Sequence, residues 1–212
     1  MQTDESSSSA MSTARLEAFS DAVIAIIITI MVLELRVPHS AKLSALRPLV
    51  PVFLSYVLSF VYLGIYWNNH HHLLQRTASV SGAILWANLH LLFWLSLFPF
   101  AAGWMGGSDF ARLPTATYGV VLFLAGVSYY VLQHVIISSQ GAGSLLAAAV
   151  GRDLKGKISP IVYAVAIPLA FASPLAANAL YVLVAGLWLV PDRRIERALR
   201  ARERADAGDS RP

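Results

Sequence analysis

The 212-residue chain contains no cysteine. That excludes disulfides and thiolate metal sites, and it leaves the redox compartment unread. Charge is scarce: Asp, Glu, Lys and Arg make up 13% of residues against 57% hydrophobic, and mean hydropathy is +0.60. Soluble domains carry about 25% charged and 45–50% apolar residues, so this is the composition of a membrane protein. No acidic residue lies between Leu35 and Ser108. There is no glycine-rich nucleotide loop, no Gly-x-Ser-x-Gly and no His-Glu-x-x-His, so nothing in the motifs points to an enzyme. No apolar run carries the spaced arginines of a voltage sensor, and the loops are too short to hide a soluble domain.

What is present is a series of apolar runs, at roughly 16–36, 47–68, 80–104, 114–138, 158–173 and 175–191. A spanning helix needs about 20 such residues. The last two runs are short and parted by Ser173-Pro174. Joined as one helix they would reach about 50 Å, far beyond a hydrocarbon core of about 30 Å, so a broken hairpin is expected. The reading is an all-α integral membrane protein with six transmembrane helices per chain and both ends on one side. Residues 1–13 form a serine-rich tail expected to be disordered, 14–191 the six-helix domain, and 192–212 a basic tail. The N-terminal stretch is acidic and its apolar run is too long for a signal peptide.

The net charge of +4 is not spread evenly. Seven of the sixteen basic residues lie between Arg193 and Arg211, directly behind the last apolar run. A basic flank there reports topology and anionic lipid rather than nucleic acid. With the termini inside, twelve basic residues face the cytoplasm and four (Arg36, Lys42, Arg47, Arg112) face out. Without the tail the count is five against four, so cytoplasmic termini in a cell membrane rest on the tail.

The first run, RLEAFSDAVIAIIITIMVLEL (15–35), holds every carboxylate found among the spans: Glu17, Asp21 and Glu34. At 100° per residue, with Ile26 at zero, Ile30 falls at about 40°, Leu33 at about −20° and Thr29 at about −60°. Asp21 (about −140°) and Glu17 (about 180°) lie on the opposite side. Ionisable groups within spans face protein or water rather than lipid. The helix therefore has an aliphatic stripe with one hydroxyl beside it and a back that must find donors on its neighbours. One reading is a buried polar anchor that fixes packing; the other is a helix wedged between polar partners behind and something unusual in front.

Arg15, followed four residues later by Phe19-Ser20-Asp21 at a first-helix N-terminus, resembles the signature of the transmembrane-protein-175 family, the lysosomal potassium channel and its bacterial relatives. The likeness continues through AIIITIMVLELRVP to Pro38, and YWNNHHHLL (66–74) and NLHLLFWLSLFPF (88–100) are family-like. The resemblance implies a homotetramer with helix 1 of each chain lining a central pore. It implies a constriction at Ile26, Ile30 and Leu33, a selectivity contact at Thr29, and permeant potassium with no cofactor. Arg15, Phe19, Ser20 and Asp21 would then be the signature that anchors gating, with Trp67, Asn69, His70 and Asn88 as candidate partners of Ser20 and Asp21. Converging aliphatic rings, each of four side chains, would make an apolar neck able to dewet when closed. Glu34, at about 80°, sits by the outer end, either concentrating cations or lying among headgroups.

The expected function is thus a potassium-selective, or weakly selective, cation channel of the cytoplasmic membrane. Its alternative is a secondary transporter with Glu17 or Asp21 as a proton carrier. A membrane enzyme centred on the histidines of WNNHHH (67–72) is a further rival. Zinc there would need a third ligand and an outer shell that the sequence does not offer nearby. TATYGV (115–120) invites comparison with a carbonyl-lined filter, but it opens directly into an apolar run after Pro114, with no room for a re-entrant loop. His39, His90 and His134 read as structural or interfacial, and Trp86, Trp94, Trp104 and Trp188 as lipid-facing or belt residues.

Overall fold

The computed structural model describes residues 12–77, 79–140 and 154–189. Most of the serine-rich tail, Arg152 and all seven tail arginines, on which cytoplasmic termini rest, lie outside the described residues. Helix α1 runs Thr13–Leu33. Its start is set by Ser12, whose Oγ and carbonyl both accept from the Arg15 N–H, at 3.4 Å and 3.0 Å. Such a cap satisfies a donor that the first turn would otherwise leave bare.

A 3-10 turn, Leu43–Leu49, leads into α2 (Val50–Gln75), with a proline in the first turn, where no N–H is needed. The third apolar run is not one uniform helix. It is α3 (Gly82–Ser96) and α4 (Phe98–Gly107), meeting at Leu97. Pro99 explains the break: it has no N–H for Leu95, and its ring crowds that carbonyl. A turn with positive φ at Asp109 and Phe110 then passes into α5 (Arg112–Gln140), so TATYGV is helical. Helices α6 (Leu154–Ala172) and α7 (Pro174–Leu189) are separated at Ser173, where the expected break falls. No strand occurs among the described residues.

Among the described residues, five helical segments are long and apolar enough to cross a membrane: 13–33, 43–75, 82–107, 112–139 and 155–172. The sixth, α7, has 16 residues, about 24 Å at 1.5 Å per residue, short of a full core.

The interior is held by buried tyrosines whose hydroxyls find carbonyls or hydroxyls on other helices, as a medium without water requires. The Tyr62 hydroxyl donates to the Tyr181 carbonyl (2.6 Å), that of Tyr181 to the Thr115 carbonyl (3.2 Å), and Ser59 and Tyr118 share a 3.0 Å bond. Helices α2 and α4 approach so closely that a Cβ on Gly106 would meet Val52 Cα at 2.6 Å. Against this core α1 is peripheral. It packs on α2, α3 and α4, along one stripe: Leu16, Ser20, Ile24, Ile27 and Met31.

Candidate functional site

On the wheel used above, the buried stripe of α1 centres at about 120°. Ile24, Ile27 and Met31 are 1%, 3% and 2% exposed, whereas Ile26, Ile30 and Leu33 are 56%, 44% and 79% exposed. One helix thus has two apolar faces of similar composition, only one of which is covered by the described residues of its own chain.

The covered face is pinned by a chain of hydrogen bonds with a single possible direction. Ser20 Oγ lies 2.8 Å from the Leu16 carbonyl, which can only accept, so the serine hydroxyl donates there. Asn88 Nδ2 must then be the donor to Ser20 Oγ (3.0 Å), which turns Asn88 Oδ1 toward His70 Nε2 at 2.7 Å. His70 therefore carries its proton on Nε2. Its Nδ1 is buried and has no partner. This tautomer is assigned from the network, as hydrogen positions must be. Three helices, α2, α3 and α1, are thereby coupled through groups that are all fully buried.

The carboxylates lie at the edge of the covered face rather than at its centre. Trp67 Nε1 donates to Asp21 Oδ1 at 3.0 Å. Glu17 pairs with His71 Nδ1 at 2.6 Å, and His71 Nε2 is 2.8 Å from the Gln75 amide nitrogen. Rings of Trp67 and His71 stack with centroids 6.0 Å apart.

Of the residues singled out from sequence, Ser20, Asp21, Trp67, His70 and Asn88 are brought together. Asn69 is turned elsewhere: its side-chain amide donates to Ile65 O within α2, while its backbone carbonyl accepts from the Tyr129 hydroxyl. Trp67, His70 and His71, at i, i+3 and i+4 on one side of α2, meet different neighbours: His70 is buried against α3 while Trp67 and His71 flank α1. Arg15 and Phe19 are exposed. His71 and Gln75 escaped the sequence reading, which weighed the histidine run for metal binding; the unmatched Glu17 was the signal that pointed to them. Among the described residues no group of three His, Asp or Glu side chains is placed to hold a metal. Trp188 is no plain belt residue either, since its Nε1 donates to Ser159 Oγ at 2.9 Å.

On the uncovered face Thr29 uses its proton internally, donating to the Ile26 carbonyl at 2.8 Å. Its oxygen lone pairs are left to point away from the helix, toward whatever covers that face. Electrostatically the arrangement is lopsided: negative charge is held at the flank by partners, and the outward stripe offers only methyl groups and one hydroxyl oxygen.

A family model described as endosomal/lysosomal potassium channel TMEM175 matches residues 15–99, from the first residue of the Arg15 signature to Pro99. A potassium channel of Chryseobacterium sp. (strain P1-3) is 53% identical over 190 residues, covering 90% of this chain and 99% of that one. A potassium channel of Chamaesiphon minutus is 32% identical over 177 residues, 76% of this chain and 85% of its own length. The crystal structure of a lysosomal potassium-selective channel TMEM175 homolog from Chamaesiphon minutus superposes with a TM-score of 0.74 at 26% identity, over 84% of this chain and 96% of that one.

Proposed function

Because this chain belongs to the TMEM175 family of potassium channels, we propose that it is a potassium-selective, or weakly selective, channel in which α1 of four identical chains lines a central pore. Membership already makes it a multi-pass membrane protein and an ion channel rather than an enzyme. The tetramer, the constriction and the selectivity contact go beyond that, and one observation supports them: the aliphatic stripe of α1 is left uncovered while its other face is fixed by buried hydrogen bonds.

A six-helix chain cannot enclose a pore with one helix, so self-association is required, and closed cyclic symmetry is the usual solution. Ile26, Ile30 and Leu33 would then form successive rings. An apolar neck of this kind excludes water when narrow and admits a hydrated ion when wider. Thr29, its proton already committed to Ile26 O, offers a bare oxygen to a partly dehydrated cation. Ser20, Asp21, Asn88, His70 and Trp67 hold the helix at a fixed rotation, so that these groups face the axis. Both termini are placed in the cytoplasm, with membrane lipid around the bundle.

The experiment is flux of potassium and sodium into liposomes holding the purified chain. Wild type passes potassium faster, and Ile26→Asn wets the neck and raises leak to several cations. Unchanged flux and selectivity in Ile26→Asn would remove that ring from the pathway. Flux coupled to a proton gradient would favour a carrier using Asp21 or Glu17 instead.

A further inference from the structure

The end of α1 opposite its N-cap holds a cleft that the proposed constriction does not use. Glu34 is the C-cap of α1, and its carboxylate lies in an open cleft of about 310 Å³ lined by Glu34, Pro99, Phe100, Gly103 and Trp104. The other walls all come from α4. Phe100 and Trp104 stand one helical turn apart, with ring centroids 6.0 Å apart and an interplanar angle of 36°. Gly103 lies between them in sequence, and the glutamate closes over it: a methyl group there would sit 3.3 Å from Oε2 and 3.5 Å from Cδ, tight enough to push the carboxylate aside by a few tenths of an ångström.

Three sources of negative potential converge on this cleft. The Glu34 carboxylate is one. The negative end of the α1 helix dipole is a second, equivalent to about half a negative charge; the carbonyls of Met31 and Val32 in its last turn are already taken by the Glu34 and Leu35 N–H groups, so it acts through the field rather than as a ligand. The π faces of Phe100 and Trp104 are a third, since an aromatic ring attracts a cation placed over its face. No basic residue lines the cleft. A small inorganic cation would gain little from the rings, being strongly hydrated. An ammonium group carrying apolar substituents gains from all three, because its weak hydration lets it lie against the rings while facing the carboxylate. The volume is that of a small-ligand site.

We propose that Glu34, Phe100 and Trp104 form a binding site for an organic ammonium cation with apolar or aromatic substituents, at the mouth formed by the α1 C-terminus and α4. Pro99 supplies a further apolar wall, and Gly103 keeps the cleft open. The site is built within one chain and needs no conduction. One consequence does rest on the channel reading: a cation held one residue beyond Leu33 slows the entry of potassium from that side.

The test is calorimetric titration of benzyltrimethylammonium into the full chain in nanodiscs of zwitterionic lipid, with empty nanodiscs subtracted. Saturable binding is expected, weakened about tenfold in Glu34→Gln and roughly threefold to fivefold in Trp104→Leu, each ring contributing what an exposed cation–π contact does. Gly103→Val, which fills the cleft, should abolish it. Phenylmethanesulfonate, an anion with a comparable ring, should not bind. Any variant that fails to run as the wild type on size exclusion is replaced by Phe100→Leu, expected to weaken binding by a similar factor. Heat indistinguishable from empty nanodiscs, or Glu34→Gln binding as tightly as wild type, overturns the proposal. Binding is read without flux, so a chain that binds the cation but does not conduct refutes the channel and leaves this site standing.

Discussion

Replacing His70 and Asn88 by leucine, singly and together, probes the buried network that orients α1. Asn88→Leu strands the His70 Nε2 proton in a fully buried position, which costs about 1–3 kcal/mol, and takes from Ser20 an interhelical bond worth about 0.6 kcal/mol within a membrane. A loss of about 2–3 kcal/mol is expected. His70→Leu strands only an acceptor, Asn88 Oδ1, and at the same time removes the ring nitrogen that already lacks a partner. Its cost should be smaller, about 1 kcal/mol before cavity effects. In the double variant neither stranded group exists, so the two losses should fall short of additivity by about 1–2 kcal/mol. Reversible unfolding in mixed micelles, followed by tryptophan fluorescence, gives the three values. Additivity within about 0.5 kcal/mol would mean that the two side chains do not touch. A His70→Leu cost exceeding that of Asn88→Leu would reverse the direction of the hydrogen bonds and with it the assigned tautomer.

Three further outcomes follow from the same geometry. Trp67→Phe keeps the ring but loses the donor to Asp21; because that bond is exposed, stability in the same assay should fall by less than about 1 kcal/mol, and a larger loss would show the contact to be buried. Gly106→Ala forces a methyl group into the α2 backbone and should cost about 1–3 kcal/mol by overpacking, whereas Gly64→Ala, with open space around it, should cost nothing measurable; equal effects would refute the close approach. Thr29→Val removes the hydroxyl oxygen from the uncovered face and should lower potassium-over-sodium preference several-fold, read as a shift in reversal potential; an unchanged potential would take Thr29 out of the selectivity contact.

Much of the candidate site was legible before folding because it lies on one helix. Ile26, Thr29, Ile30 and Leu33 fall on one side of α1 and Asp21 and Glu17 on another through the 100° repeat alone. The break between α6 and α7 was legible for a similar reason, since Ser173-Pro174 cannot continue a helix of a length no membrane accommodates. The break at Leu97 was not, although Pro99 marks it: a proline within an apolar run of spanning length can kink a helix or begin a new one, and only the packing of α3 and α4 on different neighbours separates the two. Partners were the harder part. His70 and His71 are adjacent in sequence and 100° apart in space, so which of them turns to Asn88 and which to Glu17 depends on where α1 and α3 stand. Asn69, which the family resemblance made a candidate partner of Ser20 and Asp21, lies on a side of α2 that faces α5.

Composition and periodicity were enough to determine that this chain lives in a membrane, that its elements are helices, and that its first helix is two-faced, because each of these follows from free energies acting within about 20 consecutive residues. Which apolar face of that helix the chain covers was decided only by tertiary structure. Ile24, Ile27 and Met31 are no more apolar than Ile26, Ile30 and Leu33. What separates them is a serine, an asparagine and a histidine from three different helices, meeting where no water can replace any of them.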